Sequence, residues 1–349
     1  MIISEMNDNQ RRVMIDTIQL YESFIDVSRK IRSYRGGMHW KKAKGREYLF
    51  RSRDRYGYGE SLGHRSKETE KIYAEFHKTK QELKSRLRTL TERLQEQARI
   101  CKAVMIQRVP RVVTGVLRML DQHQILGRNV TVIGTNVMYA YEAAAGVFFD
   151  RALMATKDMD ILWDIRPKLT LILADDTKPD GLLGLLKKVD RSFEVSAQQN
   201  FRAVNKDGYM VDLLKPESKP VLLKEPRRMG DKKDIEAAEI QNLQWLVSSP
   251  KFSQVVIGDD GYPALMIGPD PRSFALHKLW LSEQTDREPL KKKRDHDQGL
   301  AVVQLVLQFM PGYRFNSNDF KMFPKNLIEM ARERIAASQM PVGMDIEFD

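Results

Sequence analysis

A single cysteine, Cys101, in 349 residues excludes an internal disulfide framework and any multi-cysteine zinc site. Long hydrophobic runs are also missing. No uninterrupted apolar stretch approaches the ~18 residues a membrane helix needs. The opening residues, Met1 to Asp8, lack the basic start and apolar run of a signal peptide. A soluble, cytoplasmic chain with no membrane partner is therefore expected. The six histidines (39, 64, 77, 123, 277 and 296) show no metal-ligand spacing. No Gly-Lys-Ser/Thr follows Gly134, which excludes a phosphate-binding P-loop there. There is no internal repeat and no low-complexity tract.

Apolar material, in contrast, is sufficient for a real core. Hydrophobic residues make up 42% and charged residues 30%, which argues against a wholly disordered chain. The length suits two domains, or one with substantial extensions. Lys and Arg number 58 against 47 Asp and Glu, a net charge of +11, with a pI near 9.5. Such a balance suggests a polyanionic partner, nucleic acid or nucleotide phosphate. The excess is concentrated: between Arg29 and Arg65, twelve bases face only Glu47, Asp54 and Glu60.

Three regions follow from the pattern: a basic helical and hairpin region (1–108), a central α/β region (109–235), and a hairpin and helical C-terminal region (236–349). In the first, Met14, Ile18, Tyr21 and Ile25 make an apolar stripe on a helix over 9–33. Gly36-Gly37 breaks it. Trp40 to Lys42, a Lys44-Gly45 turn and Glu47 to Phe50 read as a hairpin. Residues 56–66 are Gly-rich and read as a loop. From Ser66 to about Arg108, Ile72, Phe76, Leu83, Leu87, Leu90 and Leu94 recur at helical period among many charges. In the remainder, Val112 to Leu120 reads as a buried helix and Asn136 to Ala145 as another. Val130 to Ile133, Asp158 to Ile165, Leu169 to Leu173 and Tyr209 to Leu214 read as strands, with a helix around Gly184 to Lys188. Ser253 to Ile257 and Ala264 to Ile267 flank a Gly258–Gly261 turn, and Pro271 begins a helical C-terminal part.

The chemistry is carried by Val132-Ile133-Gly134-Thr135, then Asp158-Met159-Asp160-Ile161-Leu162, then Val211-Asp212-Leu213. A strand that ends in Gly-Thr and turns into a helix exposes N–H groups. These and the Thr135 hydroxyl could cradle a phosphate, and Gly134 permits close backbone approach. Side chains alternate along a strand, so Asp158 and Asp160 share one face while Met159 and Ile161 enter the core. Two adjacent carboxylates repel one another unless a cation lies between them. Asp212 supplies a third oxygen donor, and carboxylate oxygens suit Mg²⁺, with substrate phosphates as further ligands. Two such ions ~3.5–4 Å apart stabilise the attacking and leaving oxygens of phosphoryl displacement.

This arrangement resembles the polymerase-β-type nucleotidyltransferase superfamily, whose signature is a Gly-Ser or Gly-Thr turn, an Asp-x-Asp strand and a later Asp strand. The stretch from about 105 to 310 is similar to a bacterial branch of nucleotidyltransferases distantly related to AbiE-type and tRNA-modifying toxins. Gly134-Thr135-Asn136, Tyr139 to Ala143, Thr156 to Asp160 and Ala275 to Leu279 carry the likeness, as does the Gly-Gly-Met-His-Trp-Lys-Lys segment. The gap from Gly134 to Asp158 is longer than in the superfamily's short forms. The resemblance implies an α/β (α+β) fold, a polymerase-β-like mixed sheet with helical N- and C-terminal extensions. It also implies Asp158, Asp160 and Asp212 as catalytic residues and ligands of Mg²⁺ or Mn²⁺. Asp212 would help deprotonate the acceptor hydroxyl.

A second cluster is Lys291 to Gln298. On a helix, Lys291, Arg294, Asp295 and Gln298 share one face. A triphosphate carries more charge than Mg²⁺ neutralises, so Lys291, Arg294 and Lys278 are candidates for it, with Asp295 orienting them. The resemblance assigns this role to Arg294-Asp295. The plainer alternative is a solvated helix face. Asp164 reads as the end of its strand, Asp175-Asp176 and Asp259-Asp260 as turn residues, and His277, Trp245 and Trp280 as packing residues.

Arg35, Lys41, Lys42, Lys44, Arg46, Arg51 and Arg53 are interleaved with the aromatics Tyr34, Trp40, Tyr48, Phe50, Tyr56 and Tyr58, a pattern that fits RNA binding by these cations and Trp40. A hairpin docked by those same aromatics is the competing reading. The expected activity is Mg²⁺-dependent transfer of NMP from an NTP to an acceptor hydroxyl, with RNA, such as the tRNA 3′ end, favoured. Transfer to a protein Ser, Thr or Tyr is one alternative, and an inactive nucleic-acid-binding protein is another. A toxin or defence role would describe a use rather than a chemistry.

Overall fold

The computed structural model describes residues 3–54, 58–166, 181–217, 226–315 and 320–338. These fall into two compact units. One is residues 12–104, and the other comprises the described residues up to 11 and from 105 onward.

In the smaller unit, the helix Asp8–Arg32 supplies Val13, Met14, Thr17, Tyr21 and Ile25 as buried positions, close to the expected stripe. The 37-residue helix Lys67–Ala103 starts at Ser66, whose hydroxyl and amide exchange hydrogen bonds with Thr69 in a capping box. The two helices meet at a small polar knot. Thr17 Oγ1 lies 3.3 Å from Cys101 Sγ and accepts from Gln97 Nε2 at 2.9 Å. Strands Gly37–Ala43, Arg46–Ser52 and Gly59–His64 form an antiparallel sheet in that order. The third strand corrects the expectation of a loop over 56–66. Gly59 is demanded by the pairing, since a Cβ there would sit 2.0 Å from the Arg51 carbonyl. Met38, Leu49 and Phe76 join this sheet to the long helix, with Tyr34, Trp40 and Tyr73 packed around them.

The larger unit is built on a six-stranded mixed sheet. Val130–Ile133 runs antiparallel to Asp158–Trp163, which runs parallel to Met210–Pro216. The last strand pairs antiparallel with Arg202–Val204 and parallel with Ala238–Ile240. One sheet face carries Met159, Ile161, Val211 and Leu213 into the main core, which also takes in buried residues of helices Arg111–Gln122 and Gly181–Val189. Alternation turns Leu162 and Leu214 to the other face, into a smaller cluster with Ile133, Leu243, Leu246 and Val247. Asp158, Asp160 and Asp212 have that second parity. The hairpin Lys251–Ile257/Pro263–Pro269 follows, then the packed helices Pro271–Glu283 and Pro289–Phe309. The expected strand Leu169 to Leu173 and the pair Asp175-Asp176 lie outside the described residues. Among the described residues no helix is long and apolar enough to cross a membrane.

Candidate active site

Register brings the acidic residues together. Asp160 is the Cα partner of Asp212 across the parallel pair, Met210 is the partner of Asp158, and Ile133 is the partner of Asp160. Asp160 therefore has Asp212 on one side and the turn after Ile133 on the other. That turn is Gly134, at φ +68°, in the left-handed region glycine tolerates. A Cβ there would meet Asp160 Oδ2 at 2.0 Å. The glycine predicted for phosphate approach is thus also required by the carboxylate beneath it.

Each aspartate has a distinct environment. Asp158 is half-buried. The Thr156 hydroxyl donates to its Oδ1, while its carbonyl accepts from Asn136 Nδ2 at 2.6 Å and the Tyr209 hydroxyl at 3.2 Å. Burial, then the neighbouring carboxylates of Asp158 and Asp212, push Asp160 up to about 7. Asp212 is buried and held by Arg202, with Nε–Oδ1 at 2.7 Å and Nη2–Oδ2 at 2.6 Å. Sequence reading missed Arg202, and also Thr156, Asn136 and Tyr209 as supports. The alternation that revealed the aspartates is local, whereas the pairing that places Arg202 beside Asp212 is not.

Thr135 is 5% exposed, and its hydroxyl accepts from Gln298 Nε2 at 3.0 Å, which ties the glycine turn to the C-terminal helices. Those helices bring three of the expected phosphate residues together. Lys278 donates to Asp295 Oδ1 at 2.7 Å, and Arg287, which sequence reading did not single out, binds Asp295 Oδ2 at 2.8 Å. Burial lowers the Lys278 pKa; Asp295 and Asp160 oppose that shift, and Arg294 adds to it. Lys278 thus lies electrostatically between the acidic cluster and Arg294. Arg294 Nε is buried with no hydrogen-bond partner among the described residues. Lys291 points elsewhere: it pairs with Glu288 at 3.1 Å and is 45% exposed, and no described contact joins it to Lys278 or Asp295. His277 is 6% exposed between Trp245 and Trp280. Burial, reinforced by Lys278, pushes its pKa down to about 3, so it is a neutral packing residue.

The expected RNA-binding residues separate into two groups. Lys41, Lys42, Lys44 and Arg46 crown the β-hairpin turn, all exposed, with Lys41 Nζ 3.5 Å from the Phe50 ring centroid. Arg35 is exposed as well. The others are engaged within the unit. Arg51 donates to the carbonyls of Ser33, Arg35, Gly37 and Ser52. Arg53 pairs with Glu60 at 2.6 Å. Trp40 packs on Tyr73 beneath the Arg65 guanidinium. The docking reading describes Trp40 and Arg51; the tip cations remain available.

The donor type suits a divalent cation, because three carboxylates share one sheet face and the opposing charges of Lys278 and Arg202 do not offset burial and carboxylate repulsion at Asp160. Among the described residues no three His, Cys, Asp or Glu side chains form a preformed cage. A family model described as nucleotidyltransferase matches residues 111–318, more than half of the chain. The chain belongs to this nucleotidyltransferase family. The matched stretch contains the glycine turn, all three aspartates and the Lys278, Arg294 and Asp295 group. No curated protein and no solved structure matches the chain.

Proposed function

We propose that this nucleotidyltransferase moves NMP from an NTP to a hydroxyl of RNA, with the tRNA 3′ end the favoured acceptor. The observation that carries the reading is the in-register stack of Asp160 and Asp212 beside the Gly134 turn, with Asp158 two residues away on the same face. Asp158, Asp160 and Asp212 would hold Mg²⁺, or Mn²⁺ in its place. When bound, such ions neutralise the phosphates and stabilise charge on the attacking and leaving oxygens.

The chain's own residues do the rest. The Gly134-Thr135 turn accommodates the phosphates against the sheet. Lys278 and Arg294 supply donors for the β- and γ-phosphates, and Asp295 with Arg287 holds Lys278 in place. The acceptor oxygen bonds to the α-phosphorus while the bond to the β-phosphate oxygen breaks, releasing pyrophosphate. The hydroxyl proton passes to Asp212 and then to solvent. RNA is favoured over a protein acceptor by the exposed tip cations Lys41, Lys42, Lys44 and Arg46, which suit a phosphodiester chain. The likeness to tRNA-modifying toxins points the same way, toward a cytoplasmic RNA target.

The acceptor is tested by incubating the full chain with each α-labelled NTP, Mg²⁺ and whole-cell lysate, followed by separate nuclease and protease digestion. Label that nuclease releases and protease spares supports RNA. Label that protease alone releases would transfer the same chemistry to a protein hydroxyl.

A further inference from the structure

Three neighbouring strands place Asp160, Asp212 and Arg202 abreast, since Asp212 is the Cα partner of both others. Residues directly opposite on adjacent strands project from the same face. Arg202 is therefore a member of the acidic row, and it engages both oxygens of Asp212. The pair is largely shielded, with side-chain exposures of 23% for Arg202 and 7% for Asp212. Asp158 and Asp160 also act on Arg202 electrostatically. By contrast, Asp158 receives a neutral hydroxyl from Thr156, and no described side chain donates to Asp160.

We propose that Arg202 is a charge-compensating latch, a positioning residue that orients Asp212 and competes with the divalent cation for its carboxylate. The proposal rests on the reading that the aspartates hold such an ion. A bidentate guanidinium uses one lone pair on each oxygen, leaving only outward lone pairs for a cation. It also sets a fixed positive charge beside the incoming one. For a single and a double charge ~6 Å apart, even water-like screening leaves repulsion worth about tenfold in affinity. The latch thus weakens ion binding while fixing the geometry of the third carboxylate, as expected where no preformed three-ligand cage exists among the described residues.

The probe is Mn²⁺, its free concentration followed by electron paramagnetic resonance, with the full-length wild type, Arg202→Gln and Arg202→Lys. Folding is checked by circular dichroism. Arg202→Gln is expected to bind Mn²⁺ about tenfold more tightly, while NMP transfer at saturating Mn²⁺ falls at least about tenfold because Asp212 is no longer oriented. Arg202→Lys keeps the charge but frees one oxygen, so it tightens binding about threefold, and it decides the matter if Arg202→Gln does not fold. A merely structural arginine would give weaker binding together with lower activity. Unchanged or weakened Mn²⁺ affinity in the folded variants overturns the latch and leaves the metal reading standing. A wild type that binds no Mn²⁺ overturns both.

Discussion

Asp160 and Gly134 share one small volume, and each constrains the other. Alanine at 134 would put a methyl group against the Asp160 carboxylate and force a β-carbon into left-handed backbone. Gly134→Ala should cost about 1–3 kcal/mol in a denaturant melt, with transfer activity falling further than stability. Asp160 titrates from a raised folded pKa, about 7 against an ordinary 3.8. Its neutral form is the one the fold favours, so the associated stability is full below 3.8 and is lost as pH rises through about 7. Buried Glu142, also pushed up to about 7 by burial, acts with the same sign. The metal-free melting temperature should therefore fall between about pH 4 and about pH 7, and Asp160→Asn should make that fall shallower without removing it. A melting curve equally steep in Asp160→Asn would show that this carboxylate is not the strained one. At this scale the Asp-x-Asp pair was legible because strand alternation is local, as was the glycine before Thr135. Arg202 was not legible, since nothing near it in sequence signals that its strand will lie against Asp212.

The helix pair Pro271–Glu283 and Pro289–Phe309 is held at its polar end by Lys278, Asp295 and Arg287. Asp295 is fully buried and serves two cations, so Asp295→Asn leaves Lys278 in a low-dielectric setting with a neutral partner. That change should cost about 3–5 kcal/mol by urea titration and raise KM for the NTP. A cost below about 1 kcal/mol would place the network in solvent. Sequence periodicity put Lys291, Arg294, Asp295 and Gln298 on one helix face, and three of the four do turn inward. Lys291, a turn earlier, reaches Glu288 instead. Tertiary packing decides where along a face solvent begins, and helical spacing carries no record of it. The strand Gly59–His64 shows the converse. Its glycines suggested a loop, yet Gly59 is small because the Arg51 carbonyl lies against it.

Across the whole molecule, the aspartate row and the basic hairpin tip belong to different units: the aspartates to the unit on the mixed sheet, the tip cations to residues 12–104. Composition registered the basic segment without showing which of its members are spoken for. Arg51 and Arg53 have internal hydrogen-bond or ion-pair partners, while the tip residues are exposed and, among the described residues, only Lys41 lies against a ring of the unit, that of Phe50. Replacing Lys41, Lys42, Lys44 and Arg46 by Gln should weaken RNA binding and flatten its logarithmic salt dependence by about 3, with little change in pyrophosphate release on a minimal acceptor. An unaltered slope would make the tip a surface feature only. The most direct measurement compares two labels on one substrate. The chain is incubated with Mg²⁺ and total RNA alongside each NTP carrying label at the α- or the γ-phosphate. The account predicts that α-label enters RNA, that γ-label leaves as pyrophosphate, and that Asp160→Asn abolishes both. Transfer of the γ-label to any acceptor, or equal α-label transfer by Asp160→Asn, would contradict it.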